Sequence, residues 1–316
     1  MVTNILVTGA TGNVGREVVR LLSAQELPVT VAVRDPIGAA KSFGSNVRCV
    51  LFDFTNPDTF ADAFRGIDKL FLVRPPAIAD IHQITPALNA AKQAGVEEII
   101  FLSIIGADRN HIVPHYAIER AIEKLNILAV FLRCSFFMQN LNTTHREDIR
   151  IRNRLFMPAG NGRTSFIDVR DIAAVAVKFL TEEPDRSKGA QINRAYDLTG
   201  TAALTYSEVA TVFTNVLDRP IHYTNPSIPV FIWQMLQQGF SFQFVLVTIG
   251  IYTTARFGLA SMVTSDVQQL LGRAPISMKQ YVEDYRQCWL QASPTAIGQT
   301  LVSHPLIYPL SNLINT

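Results

Sequence analysis

The chain predicts an α/β fold: a doubly wound parallel sheet with a smaller, mainly helical C-terminal lobe. Three observations lead there. Short apolar runs recur from Ile5 to Leu132 and alternate with helical patterns, the layout of a parallel sheet. The first run passes straight into a glycine-rich turn and a helix. Beyond Arg133 the alternation stops, and from about Thr205 onward the chain reads as helices with short links.

Ile5 to Val7 reads as a buried strand. Gly9-Ala10-Thr11-Gly12-Asn13-Val14-Gly15 follows, and Val14, Val18, Val19, Leu21 and Leu22 then recur at helical spacing. In such a strand–turn–helix the first glycine allows the tight turn. The second lets a pyrophosphate approach the backbone, and the third lets helix pack against strand. Open amides and the helix dipole then favour phosphate. The motif predicts a Rossmann-type dinucleotide site.

The second strand, Val29 to Val33, ends in Arg34-Asp35-Pro36. An acid here bonds the ribose hydroxyls of NAD, whereas an arginine suits the 2′-phosphate of NADP. Both are present and Arg34 comes first, so NADP(H) is the expected cofactor; the alternative is that Arg34 is a solvated turn residue. The third strand, Val47 to Phe52, is followed by Asp53, and Asn56-Pro57 opens a helix. The fourth, Lys69 to Val73, ends in Arg74-Pro75-Pro76, and a helix with Ile81, Ile84, Leu88, Ala91 and Ala94 on one face leads to Gly95. Glu98 to Ser103 and Ile127 to Leu132 are the fifth and sixth strands. Ligands of such sheets sit at the strand carboxyl ends. Thr8, Arg34, Asp53, Arg74, Ser103 and Arg133 are therefore expected to face one crevice, with Arg74 among the cofactor contacts.

Past Arg133, Cys134 to Arg150 is expected as a loop carrying Phe136, Phe137, Gln139, Asn140 and His145. Ile151 to Pro158 is a candidate strand, Gly160-Asn161-Gly162 a turn, Asp168 the cap of a helix through Leu180, and Tyr196 to Leu198 a further strand. The expected organisation is a cofactor-binding core over 1–133, a mixed region over 134–293 that completes the sheet and forms a substrate lobe, and a tail over 294–316 that packs along the surface or swaps onto a partner. A homodimer is one expected assembly. Phe240 to Tyr252 is strongly apolar but shorter than the roughly twenty residues a membrane helix needs. It is expected as a buried segment or the wall of an apolar pocket, with membrane-surface contact as the alternative.

A length of 316 residues with 48% hydrophobic and 17% charged side chains is an ordinary globular balance. A formal net charge of +2 carries no polyanion-binding signature, so no nucleic-acid partner is expected. Cys49, Cys134 and Cys288 are far apart without metal-like spacing and read as reduced thiols. The first strand begins close to Met1, with no room for a signal peptide. A cytoplasmic location is the expectation.

Together, ILVTGATGNVG, VRDP, FLSIIGAD, LRCSFFMQN, SFIDVRDIA, YDLTG and LLGRAPISMKQYVEDY resemble the NmrA-like branch of the atypical short-chain dehydrogenase/reductases over roughly residues 4–292. The family holds NADPH-dependent quinone and small-molecule reductases, and also redox-sensing regulators that bind dinucleotide without turnover. The resemblance implies that Gly9, Thr11, Gly12, Asn13, Val14 and Gly15 form the phosphate loop. Arg34 matches the 2′-phosphate contact and Asp53 the adenine contact. Ser103 lies near the active-site serine of catalytic relatives, and Phe137 and Asn140 resemble the substrate-pocket entrance.

The departure is at the catalytic pair. Active relatives carry Tyr-x-x-x-Lys and then an acid four positions on. With Glu119 as that acid, His115 stands at the Lys position and His111 at the Tyr position. A rival register, Tyr116-x-x-x-Arg120, restores a phenol and a cation deeper in the helix; spacing to Ile127 favours the first. A histidine is a competent proton donor near neutral pH, and His111 and His115 are equally readable as polar residues without chemistry. Pro114 starts the helix between them, so they need not share a face and no metal is expected. Three functions follow: an NADPH-dependent reductase of a hydrophobic quinone or conjugated carbonyl, a catalytically silent nucleotide sensor, or an isomerase or cyclase with a histidine acid/base.

Overall fold

The computed structural model describes residues 3–44, 46–78, 80–183 and 193–290; the expected tail, 294–316, lies outside them. The chain divides into two compact units. The first takes Met1–Ser135, Val169–Leu198 and Thr264–Ala274; the second takes Phe136–Asp168, Thr199–Val263 and Pro275–Thr316. A single boundary at 133/134 therefore marks only the first crossing, because the chain later returns twice to the first unit.

The first unit is built on a parallel sheet. Its strands are β1 (Ile5–Thr8), β2 (Val29–Val33), β3 (Arg48–Leu51), β4 (Lys69–Leu72), β5 (Glu98–Ile104), β6 (Leu128–Cys134) and the strand Asn193–Leu198. Across the sheet the order is Asn193–Leu198, β6, β5, β4, β1, β2, β3, seven strands in all. Every pairing is parallel. The helices are α1 (Asn13–Ser23), α2 (Pro36–Phe43), α3 (Phe60–Phe64), α4 (Thr85–Gln93), α5 (Pro114–Lys124) and a later one, Val169–Thr181, that packs on α1. Ile5, Leu6 and Val7 are fully buried, as strands covered on both faces must be.

The strand order reverses between β1 and β4, which opens the crevice at the carboxyl ends. Thr8 closes the seam there. Its hydroxyl donates to the Phe71 carbonyl (3.2 Å) and accepts from the Val73 amide (2.7 Å). Thr8 is buried, so its side chain serves the sheet and does not face the crevice as expected. At the opposite, amino-terminal ends of the strands, Lys69 pairs with Glu98 (2.9 Å) and donates to the carbonyls of Phe179 and Glu182, tying down the end of the Val169–Thr181 helix.

The second unit has its own aromatic core, in which Phe166, Tyr206, Phe213, Phe231, Tyr252, Tyr281 and Trp289 are all buried. Cys134–Arg150 is not one loop. Cys134 ends β6, Phe136–Phe137 pairs with Arg163–Ile167, Met138–Asn140 is a 3-10 turn, and Arg146–Arg152 is a helix. That helix escaped prediction because no side chain caps it; Glu147 and Asp148 at its start and Arg150 and Arg152 at its end match the helix dipole instead. The candidate strand shrinks to Arg154–Phe156, beside His222–Thr224. The turn at Gly160–Gly162 forms as expected, and a β-carbon on Gly162 would lie 1.8 Å from the Ala255 carbonyl oxygen.

The apolar stretch near 240 is also corrected. It lies in the helix Phe242–Arg256, which buries only one stripe: Val245, Thr248, Tyr252 and Ala255. Phe242, Leu246, Val247 and Ile251 are exposed. Among the described residues, no helix is long and apolar enough to cross a membrane.

Candidate functional site

The glycine turn after β1 is a cradle that side chains would fill. Gly9 has φ +61°, and a β-carbon there would meet the Val73 side chain at 2.8 Å. A β-carbon on Gly15 would meet the Gly9 carbonyl oxygen at 2.2 Å, so α1 could not pack against its own turn. The Gly12 amide donates to the Gly9 carbonyl (3.0 Å) and holds the loop. No side chain caps α1, and its first turn has no acid. The leading amides, which have no partner inside a helix, are thus left for an anion. Thr11 and Gly12 are exposed, Asn13 is half-buried, and Val14 lies in the core, so Val14 offers only its backbone. These residues fit a dinucleotide pyrophosphate.

Arg34 is exposed at the end of β2. The two nearby acids are both engaged by their own loops. Asp35 caps α2, its carboxylate accepting from the Gly38 amide (2.9 Å). Asp53 accepts from the Thr55 amide and hydroxyl (2.8 Å each). Those bonds, with the Arg34 charge, hold its carboxyl below the usual carboxylate range. Arg74 turns its guanidinium into its own loop, donating to the carbonyls of Pro75 (2.9 Å), Pro76 (3.2 Å) and Ile78 (2.7 Å). Its positive charge is also felt by His115.

His115 stands in the first turn of α5, its ring 6.0 Å from that of Phe101, with Nδ1 buried and without a hydrogen-bond partner. Burial, reinforced by Arg74, lowers its pKa from the ordinary 6.5 to about 4. At neutral pH it is a neutral imidazole, unlike the lysine it stands in for. His111 is exposed and stacks on Tyr116 with centroids 4.2 Å apart. In the rival register, Arg120 lies over the Tyr116 ring at 5.7 Å and pairs with Glu123 at 2.6 Å.

The sequence named Ser103 and Arg133 but missed what joins them. They are opposite each other in the β5–β6 register. Glu119, fully buried, accepts from the Ser103 hydroxyl (2.6 Å) and from Arg133 Nε (3.1 Å) and Nη2 (2.7 Å). Burial works against the Arg133 charge, but Glu119 overcomes it and holds the guanidinium above its usual value. The signal was available: Ile118, Glu119 and Ile122 share the inward face of α5, and a carboxylate there needs a partner. Asp108 adds a longer contact to Arg133 at 3.5 Å.

Phe137 and Asn140 belong to the second unit. Phe137 pairs with Ile167 in the short parallel strand, and Asn140 ends the 3-10 turn, its carbonyl accepting from the His145 amide (3.3 Å). Both are half-buried.

The comparisons with known proteins agree with this layout. Residues 1–268 match the model of the NmrA-like family. An NAD(P)H azoreductase of Xenophilus azovorans is 36% identical over 223 residues, covering 69% of this chain and 76% of that protein. The structure of Citrobacter sp. triphenylmethane reductase complexed with NADP(H) superposes with a TM-score of 0.77 at 26% identity, over 89% of this chain and 99% of the other. NmrA, a negative transcriptional regulator, in complex with NADP gives a TM-score of 0.68 at 18% identity, over 89% and 94% of the two chains, and shares the fold. With a family match spanning most of its length and this glycine cradle at its first turn, the chain belongs to the NmrA-like family.

Proposed function

We propose that the protein is an NADPH-dependent reductase of a hydrophobic small-molecule acceptor, a quinone or a conjugated carbonyl or azo compound. The observation that carries this is the pairing of an uncapped glycine cradle with an Arg34 whose neighbouring acids are turned into their own loops. The cradle amides bind the pyrophosphate and Arg34 the 2′-phosphate, with Asp53 near the adenosine end. When bound, the dihydronicotinamide supplies the hydride. Binding then contributes mainly proximity and orientation, which suffices for acceptors electron-poor enough to take hydride directly. Glu119 fixes Ser103 and Arg133 at the carboxyl ends of β5 and β6. His115, neutral, positions by hydrogen bond and supplies no charge, while exposed His111 is the proton donor. Phe137 and Asn140 are the proposed acceptor contacts, and the protein is proposed to act without a metal.

One observation favours a second reading. Neither histidine provides the phenol-and-cation pair of catalytic relatives, which suits a protein that binds the cofactor without turning it over. Fluorescence titration with NADPH, followed by an oxidation assay against a panel of quinones, azo dyes and triphenylmethane dyes, decides. Tight binding with NADPH consumption is expected. Tight binding without consumption by any acceptor refutes the reductase and leaves the sensor, and absence of binding refutes both.

A further inference from the structure

One apolar surface of the second unit lies uncovered by any described residue. Of the eighteen large hydrophobic side chains exposed among the described residues, thirteen lie between Ile228 and Val263. Arg256 is the one charged residue in that stretch, in a chain that is 17% charged. The helices Ile228–Gln237 and Phe242–Arg256 pack on each other and bury Phe231, Met235, Val245 and Tyr252. Trp233 (64% exposed), Phe242 (56%) and Phe257 (72%) stand in solvent. At roughly 150–250 Å² for an aromatic side chain, these three alone expose about 400 Å², and the other ten raise the surface to roughly 1,000 Å². The largest apolar patch on a typical monomer is about 300–600 Å². A standard stable interface takes about 800 Å² from each partner.

The outer face of the Phe242–Arg256 helix has a glycine at its middle. Gly250 is exposed, opposite the buried stripe of Val245, Thr248, Tyr252 and Ala255, with Leu246 and Val247 a turn before it and Thr254 a turn after. Nothing described inside the protomer requires it: its φ is not positive, and a β-carbon there would meet no atom within 4 Å. Glycine weakens a helix relative to alanine, so its place here fits a close approach from outside. We propose that two copies of this chain associate through this face, their Phe242–Arg256 helices crossing at Gly250. Gly250 and Thr254 let the two backbones come near, and Leu246 and Val247 of each copy fill the space beside the other. The Thr254 hydroxyl already donates to the Ile251 carbonyl (2.7 Å) and brings no unpaired donor. Arg256 lies about 9 Å along the axis from the crossing, at the rim. A uniformly apolar face is complementary to itself, as a two-fold interface requires. Few charges and many aromatic side chains are also the composition of homodimer interface cores. A lipid surface fits less well: helices that lie on bilayers pair the apolar face with several lysines and arginines, and they gain nothing from a central glycine. This association does not depend on cofactor turnover.

The test is sedimentation equilibrium of the full chain at several concentrations, in low and high salt, with circular dichroism confirming folding. The unmutated protein should be a dimer at about 10 µM, since interfaces of this size bind at micromolar strength or tighter. High salt should not dissociate it, because no ion pair holds it. Val247→Glu, at an exposed position, should fold and weaken the dimer by about a hundredfold or more, since two carboxylates enter an apolar face. If it does not fold, Phe242→Glu takes its place. Gly250→Ala should weaken the dimer by about ten- to hundredfold through overpacking at the crossing. Added to monomeric Val247→Glu, the same change should raise the urea midpoint, because alanine is the better helix former. A monomer at every concentration overturns the proposal. So does a dimer that survives Val247→Glu, which must lie elsewhere, or one indifferent to Gly250→Ala, as when residues 294–316 cover the face. A lower midpoint on adding Gly250→Ala gives the glycine a role inside the protomer and overturns the crossing. Flotation with phosphatidylcholine–phosphatidylglycerol vesicles completes the set: a monomer that binds vesicles, and loses them on Val247→Glu, assigns the face to lipid and overturns the dimer.

Discussion

Lowering the pH from 7 to 5 should destabilise this protein through two histidines, and removing either should remove its share. His115 in the first unit and His145 in the second both have pKa values held by burial at about 4, against the ordinary 6.5. The His145 ring is locked against the Tyr252 hydroxyl. Above pH 7.5 both rings are neutral whether folded or unfolded, so they add no pH dependence. As pH falls through 6.5 the unfolded chain takes up protons that the native rings refuse, and unfolding gains. Stability is lost down to about pH 4, where the native rings protonate too. For one ring at pH 5 the difference amounts to about 2 kcal/mol relative to pH 7, from a gap of roughly 1.4 kcal/mol per pH unit not yet fully traversed. Two independent rings give about twice that. Urea unfolding at pH 7 and pH 5 measures it, and His115→Gln should shed about 2 kcal/mol of the pH-dependent loss relative to the unmutated protein. Histidine ring signals in NMR give the midpoints directly. A His115 midpoint near 6.5, or an equal pH-dependent loss with and without the ring, would refute the claim that burial beside Arg74 keeps this group neutral. It would also restore a cation at the lysine position of the family.

Three further outcomes follow from the site. Glu119→Gln leaves Arg133 partly buried without its carboxylate and should cost about 2–4 kcal/mol, visible as a lower thermal midpoint; a change under about 0.5 kcal/mol would mean that Asp108 compensates. Gly15→Ala drives a β-carbon onto the Gly9 carbonyl and should weaken NADPH binding by about a hundredfold or more, checked by titration, and near-normal affinity would remove the glycine cradle from the site. With an acceptor that turns over, His111→Ala should lower kcat by about a hundredfold while leaving the NADPH dissociation constant near its original value, whereas Tyr116→Phe should do little. The reverse pattern assigns the chemistry to Tyr116 and Arg120.

The sheet was legible because burial on both faces writes a strand as a plain apolar run, and the glycine turn because only glycine tolerates its contacts. Strand ends were off by a residue or two, as with Cys134, where the pattern cannot show how far pairing continues. The second unit was harder to read for a physical reason. Arg146–Arg152 starts without a capping side chain, and Phe136–Phe137 is a strand only through its pairing with Arg163–Ile167. The Phe242–Arg256 helix misled in another way: it is apolar nearly all round, so its composition suggested burial that only one stripe enjoys. At the site, residue types were visible but their commitments were not. The letters do not say that Asp35 faces α2 or that Arg74 curls onto its own carbonyls, and the inward face of α5 shows only that Glu119 needs a partner, not which two strands it joins.

Thr8 carries one more consequence. Where β1 and β4 part, the Val73 amide has no strand carbonyl to pair with and is held by the Thr8 hydroxyl at 2.7 Å. A side-chain latch of this kind breaks by rotating one bond, whereas neighbouring amides need the sheet to open. Val73 is therefore a built-in reporter for hydrogen exchange: its proton leaves when the seam at the crevice loosens locally, well before the strands separate. Since Val73 also touches the space above Gly9, a dinucleotide seated in the turn should slow that one proton while leaving those of buried β1 unchanged.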